Sequence, residues 1–229
     1  MMEFFQFIFG DFYGQMIVIL LSATQWTIYL SLVAFIGGGL IGLLMTVLKI
    51  APSRILRAIA TSYIWLFQSI PLLMLLFLIG LGIPSFFQMN VSPWMAAGVS
   101  LTLFTSAYMS EVWRGALESV STGQWEGGRA VGMTFTQILI DIIAPQALRI
   151  ATPPTVGFMV QVIKGTSMAY IIDFTDLMRW GKRIANSQVD GAEPFVVFPM
   201  VALIYFCLCF PLSKWSKSME RKQAEGKSR

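Results

Sequence analysis

Histidine is absent from the 229 residues, cysteine occurs twice, and charged residues make up 12% of the chain, about half their share in a soluble domain. Without histidine the commonest general base and metal ligand are both missing, and the acids fall almost entirely outside the apolar stretches. A membrane-embedded enzyme would need a cluster of His, Asp, Glu, Ser or Cys at membrane depth. None is found, and no catalytic or metal-binding residue is expected. Cys207 and Cys209 stand two apart inside an apolar run, on different sides of a helix, and read as small apolar fillers rather than a disulfide or metal site. No Gly-x-x-x-x-Gly-Lys-Ser/Thr loop is present, so the chain has no phosphate cradle for hydrolysing ATP. The first fifteen residues hold Glu3 and Asp11 but no Lys or Arg, unlike the basic start of a secretory signal, and are expected to stay on the mature protein.

What the chain has in excess is apolar residues, 56% of the total, gathered into long runs. Trp26–Leu48 carries no charge and exceeds the roughly 20 residues that cross a bilayer. Apolar stretches at about 26–48, 58–83, 95–113, 152–172 and 195–213 predict an all-α membrane protein of about five transmembrane helices. The first connection holds Lys49, Arg54 and Arg57 without an acid, and the fourth has four acids against three bases. The tail from Lys214 sets six Lys or Arg against Glu220 and Glu225. By the positive-inside rule the N-terminus lies outside and the basic tail lies in the cytoplasm, where it needs no nucleic acid to explain it.

Two features mark the spans themselves. Gly38 and Gly42 form a Gly-x-x-x-Gly pair that lets another helix approach closely, within this chain or from a second copy. Pro71 follows Ser69 in the second span and predicts a kink, either for packing or facing a pathway.

The connection 114–149 is too long for a passive loop. Gln124–Val131 reads as a short helix ended by Gly132, and Thr134 with Gln137 as a capping box that restarts the chain. Phe135, Ile138, Leu139, Ile142 and Ile143 then repeat at the spacing of one helix face, and Pro145 is expected to close that second short helix. The periodicity fits a partner site, an interfacial helix or packing within the chain.

At this segment the sequence resembles a family. Glu126, Gly127, Gly128 and Gly132, with Ile142, Ala144 and Pro145 following, are similar to the cytoplasmic signature of ABC importer permeases, whose membrane domain is of type I. Ala107, Tyr108, Glu111, Arg114 and Gly115, then Ala130-Val131-Gly132-Met133, Pro145-Gln146-Ala147-Leu148-Arg149 and Lys164-Gly165-Thr166-Ser167, resemble the branch that imports polar amino acids. So does the stretch Phe67 to Leu73. The likeness covers about residues 17–213. It departs at Gly127 and Gly128, where the family has alanines, at Ala144 for leucine, at Gly157 for asparagine and at Gly165 for aspartate.

The resemblance implies residues 1–21 as a periplasmic segment, 22–213 as the transmembrane domain with a coupling-helix loop at 114–149, and 214–229 as the cytoplasmic tail. It also implies a dimer of ATPase subunits that uses the ATP, a second permease subunit, the same or homologous, and a periplasmic solute-binding protein. No cofactor is expected on this chain. Glu126, Gly127, Gly128, Gly132 and Pro145 would form the coupling element, with Glu126 as its anchor.

Gln161, Lys164, Thr166 and Ser167 are the candidates for the pathway, since polar groups at membrane depth tend to face a cavity or a partner. Lys164 admits a solute contact, a structural pairing or snorkelling. Glu111 and Arg114, three apart at the end of the third span, suit a helix-end ion pair or a contact with the following loop. Trp180 with Arg179, Lys182 and Arg183 reads as an anchor in membrane lipid and a contact for the binding protein. A carrier or channel working alone is the rival reading, but the inverted repeats or paired intramembrane acids that a carrier calls for are not found.

Overall fold

The computed structural model describes residues 2–187 and 191–227, with side chains at 12–187 and 191–225. The side chains of Glu3, Asp11, Asp190, Lys227 and Arg229, counted in the charge pattern above, lie outside the described residues. Every described element is helical, as befits a chain whose backbone groups must bond internally in lipid. In order they are α1 (Met2–Ile50), α2 (Arg54–Ser69), α3 (Leu72–Phe77), a π turn (Leu78–Gly82), α4 (Ile83–Phe87), α5 (Pro93–Glu118) and α6 (Thr122–Ala130). Then come α7 (Phe135–Gln137), a π turn (Ile138–Ile143), α8 (Ala144–Thr166), a 3-10 turn (Ser167–Ile172), α9 (Leu177–Ala185) and α10 (Pro194–Lys227).

Among the described residues, three helical stretches can cross a membrane by length and composition, Phe12–Ile50, Phe135–Ile172 and Pro194–Glu225, and a bent pair, Arg54–Ser69 with Leu72–Phe87, makes a fourth if it counts as one span. α5 is 26 residues long but less apolar, because Ser100, Thr105, Ser106 and Ser110 lie along it. Each of the five expected spans therefore falls on helix, with two changes of shape. α1 runs 49 residues, about 70 Å, far beyond a hydrocarbon core of about 30 Å. The second expected span is broken after Ser69 into separate helices, α2 and then α3 from Leu72, and is not one kinked helix. Pro71 has no N–H and disfavours the helical region at Ile70, so the ladder stops and restarts, with Met74 and Leu75 N–H donating to the Pro71 carbonyl at 2.9 and 3.1 Å.

The chain divides into two compact units. One comprises α1 up to Ile36, Ile70–Thr102 and Gln161–Pro211. Met16 and Leu20 of α1, Leu177 of α9, and Val197 and Val201 of α10 form its core. Beside it lies a buried polar group: the Thr27 hydroxyl accepts from the Leu177 N–H at 3.3 Å, and Thr166 and Asp176 are fully buried.

The other unit comprises Gly37–Ser69, Leu103–Val160 and the chain from Leu212. Here the Gly38 and Gly42 pair finds its partner inside the chain. A Cβ on Gly38 would stand 2.5 Å from the Thr105 Cβ, and one on Gly42 2.9 Å from the Ser106 carbonyl, so only glycine lets α1 and α5 meet. Tyr63 and Ser106 share a hydrogen bond of 2.7 Å that ties α2 to the same face of α5.

Candidate coupling site and pathway residues

α6 stands on Gly132. This residue has φ +80°, and the Met133 and Gly132 N–H groups bond the Gly128 and Arg129 carbonyls at 3.0 Å each, closing the helix end in a left-handed turn. Thr134 then accepts from the Gln137 N–H while the Gln137 side chain accepts from the Thr134 N–H at 2.9 Å, the reciprocal cap that starts the next helix. One side of this corner is packed: Trp125 stacks on Phe135 at 5.6 Å, and Gly128 is buried where a Cβ would meet the Ile138 side chain at 2.7 Å. Ile138, Ile143, Ala147 and Ala151 form a core with Ala116 and Val120 at the end of α5. The other side is bare. Glu126, Gly127 and Arg129 are exposed, and a Cβ on Gly127 would meet nothing within 4 Å.

Pro145 does not close a second short helix. The π turn re-registers the ladder ahead of it, with the Ala144 N–H bonding the Leu139 carbonyl five residues back, and helix continues from Phe135 through the 3-10 turn at Ile172. Pro145 follows directly on that π turn, so the regular ladder is already interrupted where its N–H is missing. The segment is thus one short helix followed by the root of a long one. Further along, Pro153 and Pro154 leave the Arg149 and Ile150 carbonyls without their helical donors. The side chain of Gln223 on α10 donates to the Arg149 carbonyl, and Ser216 donates to the Pro153 carbonyl at 2.8 Å. Neither clamp is visible in local spacing.

Glu111 sits at the centre of an ion network. Arg114 Nη2 lies 2.7 Å from its Oε2, Lys49 at the end of α1 holds Oε1, and Arg114 also pairs with Glu118. Lys49 and Glu118 escape a reading of the Glu111 and Arg114 spacing alone, although a base in a short connection is a signal for the first.

The four pathway candidates separate. Gln161 and Lys164 are exposed and three apart on α8, and Lys164 has no acid within ion-pair distance among the described residues. Thr166 is buried with its hydroxyl donating to the Ile163 carbonyl at 2.7 Å, and the Ser167 hydroxyl donates to the Lys164 carbonyl at 2.6 Å. The first pair is available to a partner or solute, whereas the second is engaged by its own helix. At Gly165 a Cβ would press on Leu72 at 3.0 Å, and at Gly157 on the Ser216 hydroxyl at 3.1 Å, so both departures from the resembled family sit at close contacts.

Four likenesses bear on this arrangement. A probable amino-acid ABC transporter permease of Bacillus subtilis (strain 168), YckA, is 31% identical over 199 residues, 87% of this chain and 86% of that one. The L-cystine transport system permease TcyB of the same organism is 33% identical over 204 residues, 89% and 86% of the two chains. A crystal structure of an amino acid ABC transporter with histidines matches with a TM-score of 0.83 at 28% identity, over 92% of this chain and 95% of that chain. The family model described as the inner membrane component of binding-protein-dependent transport systems matches residues 38–223, which takes in the α6 corner, the ion network and the pathway candidates together, and the chain belongs to that family of ABC importer permeases.

Proposed function

We propose that this chain is a permease subunit for polar amino acids in the bacterial inner membrane, driven by ATP hydrolysed on a partner ATPase dimer. The observation that carries the reading is α6: a short helix packed on one side, bare on the other, and held by a rigid glycine corner to the end of α5 and the root of α8. Such an element moves as a body, and pushing its bare side transmits force to two long helices through their shared core. In this reading Glu126 anchors α6 in the ATPase, Gly127 and Gly128 keep the helix slim, Gly132 makes the corner, and Pro145 begins the long lever.

The remaining parts follow the family. The N-terminus is periplasmic and the basic tail cytoplasmic, a second permease subunit completes the pathway, and a periplasmic binding protein delivers the solute. Gln161 and Lys164 line the pathway, the ammonium of Lys164 meeting a solute carboxylate.

Two measurements test this. Co-purification from native membranes should bring down an ATPase bearing a phosphate loop, and solute transport by the purified chain alone refutes the proposal. Glu126→Lys should lower ATP-driven uptake in proteoliposomes at least tenfold while membrane insertion and melting temperature stay as in the wild type, since an exposed substitution shifts stability by only about 0.5 kcal/mol. Wild-type uptake in this variant removes the coupling role of α6.

A further inference from the structure

Two cavities open side by side on the unit that carries α9, and they differ in chemistry. The first, about 620 Å³, is lined by Arg179, Lys182 and Arg183 with Asp173, Tyr170 and Asn186. The second, about 270 Å³, is mostly apolar and is lined by Phe12, Met16 and Ile19 of α1 and by Trp180 and Ile184 of α9. Arg183 belongs to both.

Among the described residues the cationic cavity is not neutralised from within. Asp173 is taken by Arg179 at 2.5 Å. Lys182 lies 4.7 Å over the Tyr170 ring and Arg183 5.3 Å over the Trp180 ring, and neither has an acid within ion-pair distance among the described residues. An aromatic face orients a cation without cancelling its charge, so both heads keep N–H donors for an anion. The Nε of Arg179 is buried without a partner, a further donor left unused by the fold.

We propose that these two cavities, which share Arg183 as a lining residue, bind one phospholipid with an anionic headgroup. The phosphate sits among Lys182, Arg183 and Arg179, and an acyl chain lies along Phe12, Met16, Ile19 and Ile184. Arg183 stands where headgroup meets chain. A zwitterionic amino acid or an acidic side chain of another protein would use the first cavity and leave the second empty, whereas a lipid fills both and is always at hand beside a membrane helix. Trp180 and the amphipathic α9 suit this depth, where aromatic rings and bases favour the boundary between headgroups and tails. The site is independent of the solute carried.

The test is a lipid titration of the purified permease in complex with its ATPase, read by native mass spectrometry. Dioleoyl-phosphatidylglycerol should bind at least tenfold more tightly than dioleoyl-phosphatidylcholine. In the double variant Lys182→Gln, Arg183→Gln, whose positions are exposed, that preference should disappear, since two bases at an anionic surface account for a factor of roughly thirty at most. Lys217→Gln with Arg221→Gln, which removes the same charge from the tail, should leave the preference intact, and an equal loss there makes the effect non-specific and overturns the site. Glycerol 3-phosphate, a headgroup without chains, should bind far more weakly. If it binds as tightly as the lipid, the apolar cavity is idle and the proposal fails. Equal binding of the two lipids also refutes it, leaving the cationic cavity to acidic side chains of another protein.

Discussion

α6 and α9 are both nine residues long, and their sequences would rank them as equally marginal helices, too short to persist alone. They are held in opposite ways. α9 is secured along its length: Asp176 caps it by accepting from the Arg179 N–H at 2.9 Å, Leu177 is fully buried, and Gly181 is so close to Val201 that a Cβ would stand 2.6 Å from a methyl. α6 has no side-chain cap at Ser121, carries two adjacent glycines, and is gripped by Trp125, Gly128 and the Gly132 corner, with the Gln146 side chain donating to that of Gln124 at 3.4 Å. The difference teaches that α9 is secured by its own unit, whereas α6 keeps a face that its own chain does not cover. The coupling role proposed for α6 rests on that uncovered face.

Changing Gly132 breaks the comparison most severely. Proline there cannot take φ +80° and loses the N–H that bonds Arg129, so Gly132→Pro should cost α6 about 3 kcal/mol or more. Hydrogen exchange over 122–133 should rise to that of an unfolded segment while α9 stays protected, and ATP-driven uptake should be lost. Protection of α6 in this variant would mean that the corner is not what holds it.

The cap of α9 should show itself in pH. Burial pushes the Asp176 carboxyl from 3.8 up to about 6, despite the backbone N–H groups that favour its charge. Because the folded value lies above the unfolded one, the stability this group lends is complete below about pH 4 and is lost as pH rises through 6. Asp176→Asn keeps a capping oxygen and removes the charge. It should therefore stabilise the protein at pH 7.5 by on the order of 2–3 kcal/mol and by nothing at pH 4. Melting curves of the two proteins between pH 4 and 8 measure this, and parallel curves refute it.

The smallest effects have opposite signs. Gly181→Ala drives a methyl into Val201 and should destabilise by about 1–3 kcal/mol. Gly127→Ala meets open space and replaces a poor helix former with the best, so α6 should gain about 1 kcal/mol. Thermal unfolding in detergent tests the first. Helix content of α6 by hydrogen exchange tests the second, and equal signs for the two would erase the contrast between the helices.

Features set by neighbours a few residues apart are legible in the order of the residues alone. The capping box at Thr134 and Gln137 and the left-handed Gly132 depend only on local backbone bonding, and both appear where the spacing puts them. Pro145 misleads, because a proline ends a helix only if its missing N–H falls within the ladder, and the π turn ahead of it moves the ladder aside. Ser69–Pro71 announces an interruption but not its extent, since the same missing donor allows a kink within one helix or the full stop at Ser69 and restart at Leu72. Lys49 with Glu111, Ser216 with Pro153 and Gln223 with Arg149 are 62, 63 and 74 residues apart, distances at which spacing carries no signal.

The sequence by itself determined that this is a helical membrane chain, because long uncharged runs have no other way to satisfy their backbone in lipid. It also marked the segment around Glu126 and Gly132 as different from the spans. Only the tertiary structure decided which of its short helices keeps an uncovered face, which pathway candidates are exposed, and that three bases gather beside an apolar groove. Whether a polar or apolar side chain is already partnered depends on what the rest of the chain brings to it, and that is a property of packing rather than of order along the chain.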